Sequence, residues 1–263
     1  MKGIVYYYSG TGNTQLACRH IAENLSISFD LVDVVNREKV DLEPYAVVGF
    51  ATSADFGGPP YLFQEFIEGL PQQQDKLAFV FNTYGFISGK TLRVLERSVV
   101  AKGFKVIAGH SLRMPESYPP MIARGMGAEK EPNEKRLRDF DTFISELERL
   151  LEKAQESGAV EQRRTSIGLI DRILPTFPRT RARNDMGQKY VDESLCTECG
   201  ACERGCPYKA IRLEPKPVFD MSKCYGCWRC YNRCPEHAIY TKKLRGGPYY
   251  PRPNDQLRQK LGG

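Results

Sequence analysis

No run of this sequence approaches the eighteen or so consecutive apolar residues of a membrane-spanning helix, so no span is expected. The opening MKGIVYYYSG lacks a signal-peptide core followed by a small-residue cleavage site, and the expected location is cytoplasmic. Histidine is scarce: His20 and His110 have no ligand-spaced neighbours, and His237 falls in a turn. The one glycine-rich loop near the start contains no lysine, which excludes the nucleotide-triphosphate loop, and lacks the third glycine of the dinucleotide fingerprint. No second nucleotide fingerprint and no nucleic-acid recognition module is visible, so nucleic acid is not an expected partner.

Cysteine, by contrast, is plentiful: nine in 263 residues. Without a secretion signal, such thiols point to metal or catalysis rather than to a disulfide framework. Charge is unevenly spread. Residues 1–150 hold 17 Lys+Arg against 19 Asp+Glu, whereas residues 151–263 hold 21 against 13. The asymmetry suggests two modules with different tasks.

Eight of the cysteines fall in two runs, CTECGACERGCPYKAI (196–211) and CYGCWRCYNRCPEHAI (224–239). The runs match at every cysteine and at CP..AI with an offset of 28 residues, an internal duplication. Each reads C-x2-C-x2-C-x3-C-P. Three thiolates at gaps of two can wrap three corners of a cubic 4Fe–4S cluster, and the fourth cysteine, three residues on, ligates the other cluster. By that rule Cys196, Cys199, Cys202 and Cys234 hold one cube, and Cys224, Cys227, Cys230 and Cys206 hold the other. Neither half completes its own cluster, so the pair should fold as one piece. Structural zinc closes with four local ligands and does not fit this spacing. Residues 189–243 thus resemble the two-cluster bacterial ferredoxins. Trp228 departs from that pattern, in which a small residue is usual; packing or shielding of the second cluster is expected of it.

The first half alternates strand and helix. Strand-like runs cover 3–9, 27–35, 45–52, 76–84 and 104–112, with helical periodicity between them. A last helix is expected from about Ala128 into the 150s, with Leu137, Phe140, Ile144, Leu147 and Leu151 on one face. This is an α/β pattern: a five-stranded parallel, doubly wound sheet covered on both faces. Ligands of such sheets bind outside the carboxyl ends of the strands. There the first loop reads Ser9-Gly10-Thr11-Gly12-Asn13-Thr14 and opens a helix, whose N-terminus favours an anion. Hydroxyls and amides without a lysine suit a monophosphate. Cys18, in that helix, reads as a buried small hydrophobe.

SGTGNT after a first strand closely resembles the phosphate loop of flavodoxins, and the alternation over residues 1–155 resembles their short-chain fold. The resemblance implies FMN and sheet order 2-1-3-4-5. It further implies two flavin-contacting loops, Ser53-Ala54-Asp55-Phe56-Gly57-Gly58 and Asn82-Thr83-Tyr84-Gly85. Phe56 and Tyr84 are the candidates to cover the two ring faces, and Gly57 or Gly58 to offer a peptide to the reducible nitrogen. The loop at 114–127 is long and Pro/Gly-marked, and either reaches over the flavin or docks the second module.

A basic connecting arm spans 156–188. Arg163, Arg164, Arg172, Arg179, Arg181 and Arg183 surround Ile167, Leu169, Ile170, Ile173, Leu174 and Phe177, with Pro175 and Pro178 ending any helix. A basic tail covers 244–263. Taken together the chain resembles a flavodoxin–ferredoxin fusion: a larger α/β module and a smaller α+β two-cluster module. The expected function is relay of low-potential electrons between FMN, two 4Fe–4S clusters and redox partner proteins. Two alternatives stay open: a flavin-dependent oxidoreductase for NAD(P)H or a small acceptor, and a cluster-containing sensor or binding module. A homodimer bringing one chain's flavin to another's clusters also stays open.

Overall fold

The computed structural model describes residues 1–36, 40–157, 160–173 and 179–262. The first module runs β1 (Lys2–Tyr7), α1 (Asn13–Glu23), β2 (Ser28–Asp33), β3 (Val47–Ser53), α2 (Tyr61–Glu68), β4 (Lys76–Tyr84), α3 (Thr91–Ala101), β5 (Phe104–Arg113), α4 (Pro119–Ile122) and α5 (Glu134–Ser157). Its five strands pair in parallel in the order β2-β1-β3-β4-β5, the flavodoxin-like order expected.

Successive side chains point opposite ways, and the central strands β1, β3 and β4 are covered on both faces. Val5 and Tyr7 of β1 face one apolar layer, filled by Leu16 and Ile21 of α1 and Phe140, Ile144, Leu147 and Leu151 of α5. Ile4 and Tyr6 face the other, filled by Leu62, Phe63 and Ile67 of α2 and Leu92, Leu95 and Val99 of α3. Cys18 is fully buried in the first layer, and burial holds its thiol well above the usual range. It behaves as the small hydrophobe expected.

Helix α5 starts at Glu134, not near Ala128. Ala128 has φ 52°, outside the helical region, and Pro132 offers no N–H. Asn133 then caps the helix, its Oδ1 accepting from Arg136 N at 3.0 Å.

The connection carries α6 (Leu169–Ile173) and α7 (Arg179–Met186). Leu174, Pro175, Phe177 and Pro178 of the predicted arm lie outside the described residues, as do the side chains of Ile170, Arg172, Arg179 and Arg181. The second module follows with β6 (Lys189–Val191), α8 (Ala201–Arg204), β7 (Ile211–Glu214), β8 (Lys216–Phe219), α9 (Arg229–Arg233) and β9 (Ile239–Thr241). It contains two small antiparallel sheets, β6-β9 and β7-β8. The duplication is visible in the backbone. Positive φ recurs 28 residues apart at Glu198 and Gly226, Gly200 and Trp228, and Lys209 and His237.

The tail is a strap. Its α10 (Asp255–Lys260) and the residue after it return to the first module, where Leu257 and Leu261 join the core beside α1 and α5. Lys260 Nζ closes it by donating to the carbonyls of Lys130 and Pro132. Among the described residues no helix is long and apolar enough to cross a membrane.

Candidate functional site between the two modules

A cleft of about 740 Å³ opens at the carboxyl ends of β1, β3 and β4. Ser9, Gly10, Thr11, Asn13 and Thr14 line it from the first loop, Ser53 to Gly57 from the second, and Thr83, Tyr84 and Gly85 from the third. Gly12, Gly58 and Asn82 do not line it. Gly12 stands behind the loop at φ 110°, against Pro253 of the tail. Gly58 closes a two-way backbone pair with Asp55, which ties the base of the second loop. Asn82 is fully buried and braces the sheet end, donating to Ser88 Oγ and accepting from Ser111 Oγ.

The first loop is held from within. Gly12 N donates to Ser9 Oγ at 3.0 Å, and Thr14 Oγ1 lies 2.8 Å from Thr83 Oγ1. Asn13 is committed at both ends of its amide, donating to Pro115 O and accepting from Tyr250 OH. Helix α1 then begins with no acidic residue in its first turn, leaving its amide end open to an anion. Such a cradle suits a phosphate monoester.

Residues 114–127 line the cleft and also touch the second module. Met114 to Tyr118 form a wall of the cleft, while Ser117 O accepts from Asn232 Nδ2 of the second module at 2.8 Å. Glu116 folds under this wall and accepts from the amides of Phe86, Ser117 and Tyr118. Burial raises its pKa, and those three amides pull against that rise. Gly85 is needed here, because a Cβ would stand 2.4 Å from Glu116 Oε2.

The remaining wall comes from the cysteine runs. Tyr225, Gly226, Cys227 and Trp228 line the same cleft. Tyr61 N donates to Tyr225 OH, and the Trp228 ring meets Tyr118 edge-on at 6.2 Å between centroids. Tyr118 meets Phe56 in the same way at 5.6 Å, so an aromatic file runs from the loop after β3 to the second cysteine run. Trp228 is 1% exposed, and its Nε1 has no hydrogen-bond partner among the described residues, a buried donor that fits an acceptor-rich ligand. Packing, one of the two roles expected of it, is seen in its edge-on contacts with Tyr118 and Tyr231.

Cysteines of the two runs stand near one another. Cys196, Cys199, Cys202 and Cys234 ring a second, smaller cavity. Cys206 stands near Cys227 and Cys230 of the second run, and Cys202 near Cys230 and Cys234. Burial raises the thiol pKa values of Cys206, Cys227 and Cys230 and pushes that of Cys202 up to about 11. Unmetallated thiols here would be protonated, and binding to iron would displace those protons. Among the described residues no three His, Cys, Asp or Glu side chains converge on a point suited to a single ion. Thiols ringing a volume fit a cube better. Ala210, Ile211, Ala238 and Ile239, which follow the two Cys-Pro pairs, are all buried and form an apolar pad. Its amides do more than pad: Ala210 N donates to Cys206 Sγ and Ala238 N to Cys234 Sγ, both at 3.3 Å.

Several residues of this site had no signal in the sequence. Tyr118, Tyr225 and Tyr250 are ordinary aromatics until the fold places them. Lys189 and Arg229 are two among 38 basic residues.

Residues 195–238 match the family model described as a 4Fe-4S dicluster domain, a span that includes all eight paired-run cysteines. No curated protein matches the chain. Among solved structures the chain is similar to a flavodoxin from the domain Archaea, at 17% identity over 58% of this chain and 99% of that one, with a TM-score of 0.44. It is similar to oxidised flavodoxin 1 from Bacillus cereus at 16% identity, over 56% and 96%, with a TM-score of 0.43. A flavodoxin, WrbA-like protein from Agrobacterium tumefaciens gives 18% identity, 59% and 98%, and 0.44. The strand order observed above, rather than these likenesses, is what makes the sheet flavodoxin-like.

Proposed function

We propose that this chain, a flavodoxin-like α/β module joined to a 4Fe–4S dicluster domain, relays electrons between FMN in the cleft, two cubic clusters and redox partner proteins. The observation that carries the reading is the shared wall: Cys227, a ligand of the second cube on the crossed scheme, lines the same cleft as the phosphate loop. Bound FMN would supply electrons in pairs or singly, and the cubes would pass them one at a time.

The chain's own residues do the positioning. Ser9 to Thr14 would hold the phosphate with neutral donors and the α1 amide end. Phe56 and Tyr84 would flank the ring, with the Gly57–Gly58 peptide at its edge. Gly57 O already accepts from Lys90 N, which fixes the peptide's direction. Trp228, Tyr118 and Phe56 exclude water from the space between ring and cube, and low polarity there strengthens every electrostatic interaction that tunes a potential. The modules meet within one chain, so a dimer is not needed to bring flavin and cluster together. A cytoplasmic, reducing setting suits the unpaired thiols.

Full-length protein purified without oxygen should contain about one FMN and about eight irons per chain. Photoreducing the flavin and following both chromophores by rapid absorbance should then show transfer to the clusters at a rate independent of protein concentration. Absence of flavin, or a rate that rises in proportion to concentration, would overturn the reading.

A further inference from the structure

One lysine sits where neither the cleft nor the cysteine spacing called for it. Lys189, the first residue of β6, is 5% exposed. Its Nζ donates to Cys224 Sγ at 3.2 Å and stands 5.7 Å from the centre of the Phe219 ring. Its charge acts on Cys227, Cys230 and Cys206 as well, so it addresses the whole second set of thiols. Lysine carries an ammonium at neutral pH, and here that buried charge is in hydrogen-bond contact with a cysteine sulfur.

The duplication supplies an internal control. The strand and loop before each run align as KYVDESLC (189–196) and PVFDMSKC (217–224), so the counterpart of Lys189 is Pro217. Pro217 lines the cavity of the first set, where it offers neither charge nor donor. Two basic side chains reach that set from the surface by way of its main chain: Lys216 gives its ammonium to the Glu198 carboxylate and the Cys196 carbonyl, and Arg204 donates to the Cys199 carbonyl. The two cubes would therefore share a fold and differ in charge. Each cube with its four thiolates is anionic, and uptake of an electron adds further negative charge. A buried cation hydrogen-bonded to a ligand sulfur favours the reduced form.

We propose that Lys189 holds the second cube, the one whose Cys227 forms part of the cleft wall, at a higher reduction potential than the first, making it the entry point for electrons. The inference rests on the two-cube reading above. The step is uptake of one electron from reduced flavin or a partner's reduced donor, with no bond broken and no proton required. Lys189 acts through the ligand sulfurs and is a positioning residue.

The test is an anaerobic redox titration of the full chain, followed by absorbance and electron paramagnetic resonance. It compares the wild type with K189M, K189Q and K189R. The wild type should show two cluster waves. In K189M and K189Q the higher wave should move to more negative potential while the lower stays in place, and K189R should restore most of the separation. Should one neutral variant fail to fold, the other still reads out. Waves unmoved in the neutral variants, or both moved equally, would overturn the assignment. Wild-type iron well below about eight per chain would instead remove the two-cube reading on which it stands.

Discussion

Arg229, on the short helix of the second cysteine run, donates from Nη1 to the main-chain carbonyl of Ser9 across 2.8 Å. The two residues are 220 apart in sequence. Arg229 is buried, at 7% exposure, and it backs the Ser9–Thr14 loop, which has no lysine of its own. A cation missing from one module is thus supplied by the other, and the bond to Ser9 O turns the loop's carbonyl outward. Asp33, with Arg229 and Arg233 nearby, has its pKa raised by burial, which those two charges oppose.

Substituting R229Q should therefore weaken FMN binding by roughly tenfold, about 1.4 kcal/mol, with R229K intermediate. Riboflavin, which has no phosphate, should bind wild type and variant alike. Fluorescence titration of flavin-free protein gives both constants. Equal losses for the two flavins would show that Arg229 acts on the fold and not on the anion site.

Crossed ligation makes C234S and C206S different lesions. C234S should impair the first cube, and C206S the second, although each residue closes the opposite run. Iron should fall toward about four per chain in both. The cluster wave that Lys189 variants move should persist in C234S and vanish in C206S, as read by electron paramagnetic resonance. Local ligation would give the reverse pattern.

His110 lies on β5, stacked on Phe81, Phe140 and Phe143. Burial lowers its pKa to about 4, with the Asp139 carboxylate pulling weakly the other way. The unfolded chain therefore binds the proton first, and stability falls as pH drops from about 6.5 to about 4. The full loss is on the order of 3 kcal/mol. Denaturation midpoints at pH 7 and pH 5 should differ less in H110F, which keeps the aromatic packing and cannot charge.

The strap can be loosened without touching either cofactor site. Leu257 and Leu261 are 2% and 0% exposed, so L257A should cost about 2–5 kcal/mol and lower the thermal midpoint, and L261A likewise. Pro253 packs on Gly12 and Tyr250 OH bonds Asn13 Oδ1. Flavin affinity, measured by titration, should therefore fall along with stability. Unchanged flavin affinity would make the tail a fold element only.

Much of the architecture is written locally. Period-two apolar runs and their helical partners dictate a buried parallel sheet, and cysteine gaps of two, two and three dictate where thiols can reach a cube. Helix α5 shows the limit at short range. Its apolar face was legible through Phe140 and Leu151, but its start depended on the backbone at Ala128 and the cap at Asn133. Gly12 and Asn82 show a similar limit in the loops, where residue type suits a ligand but the chain turns the residue elsewhere.

Spacing within a segment is set by covalent geometry, so the sequence alone pointed to the parallel α/β sheet, the dicluster domain and a loop suited to an anion. Contacts between segments depend on how the finished surfaces meet, and no local pattern encodes them. Only the tertiary structure could put Arg229 behind Ser9, Cys227 in the flavin-loop cleft and Lys189 beside Cys224, because each joins groups that the chain separates by tens to hundreds of residues.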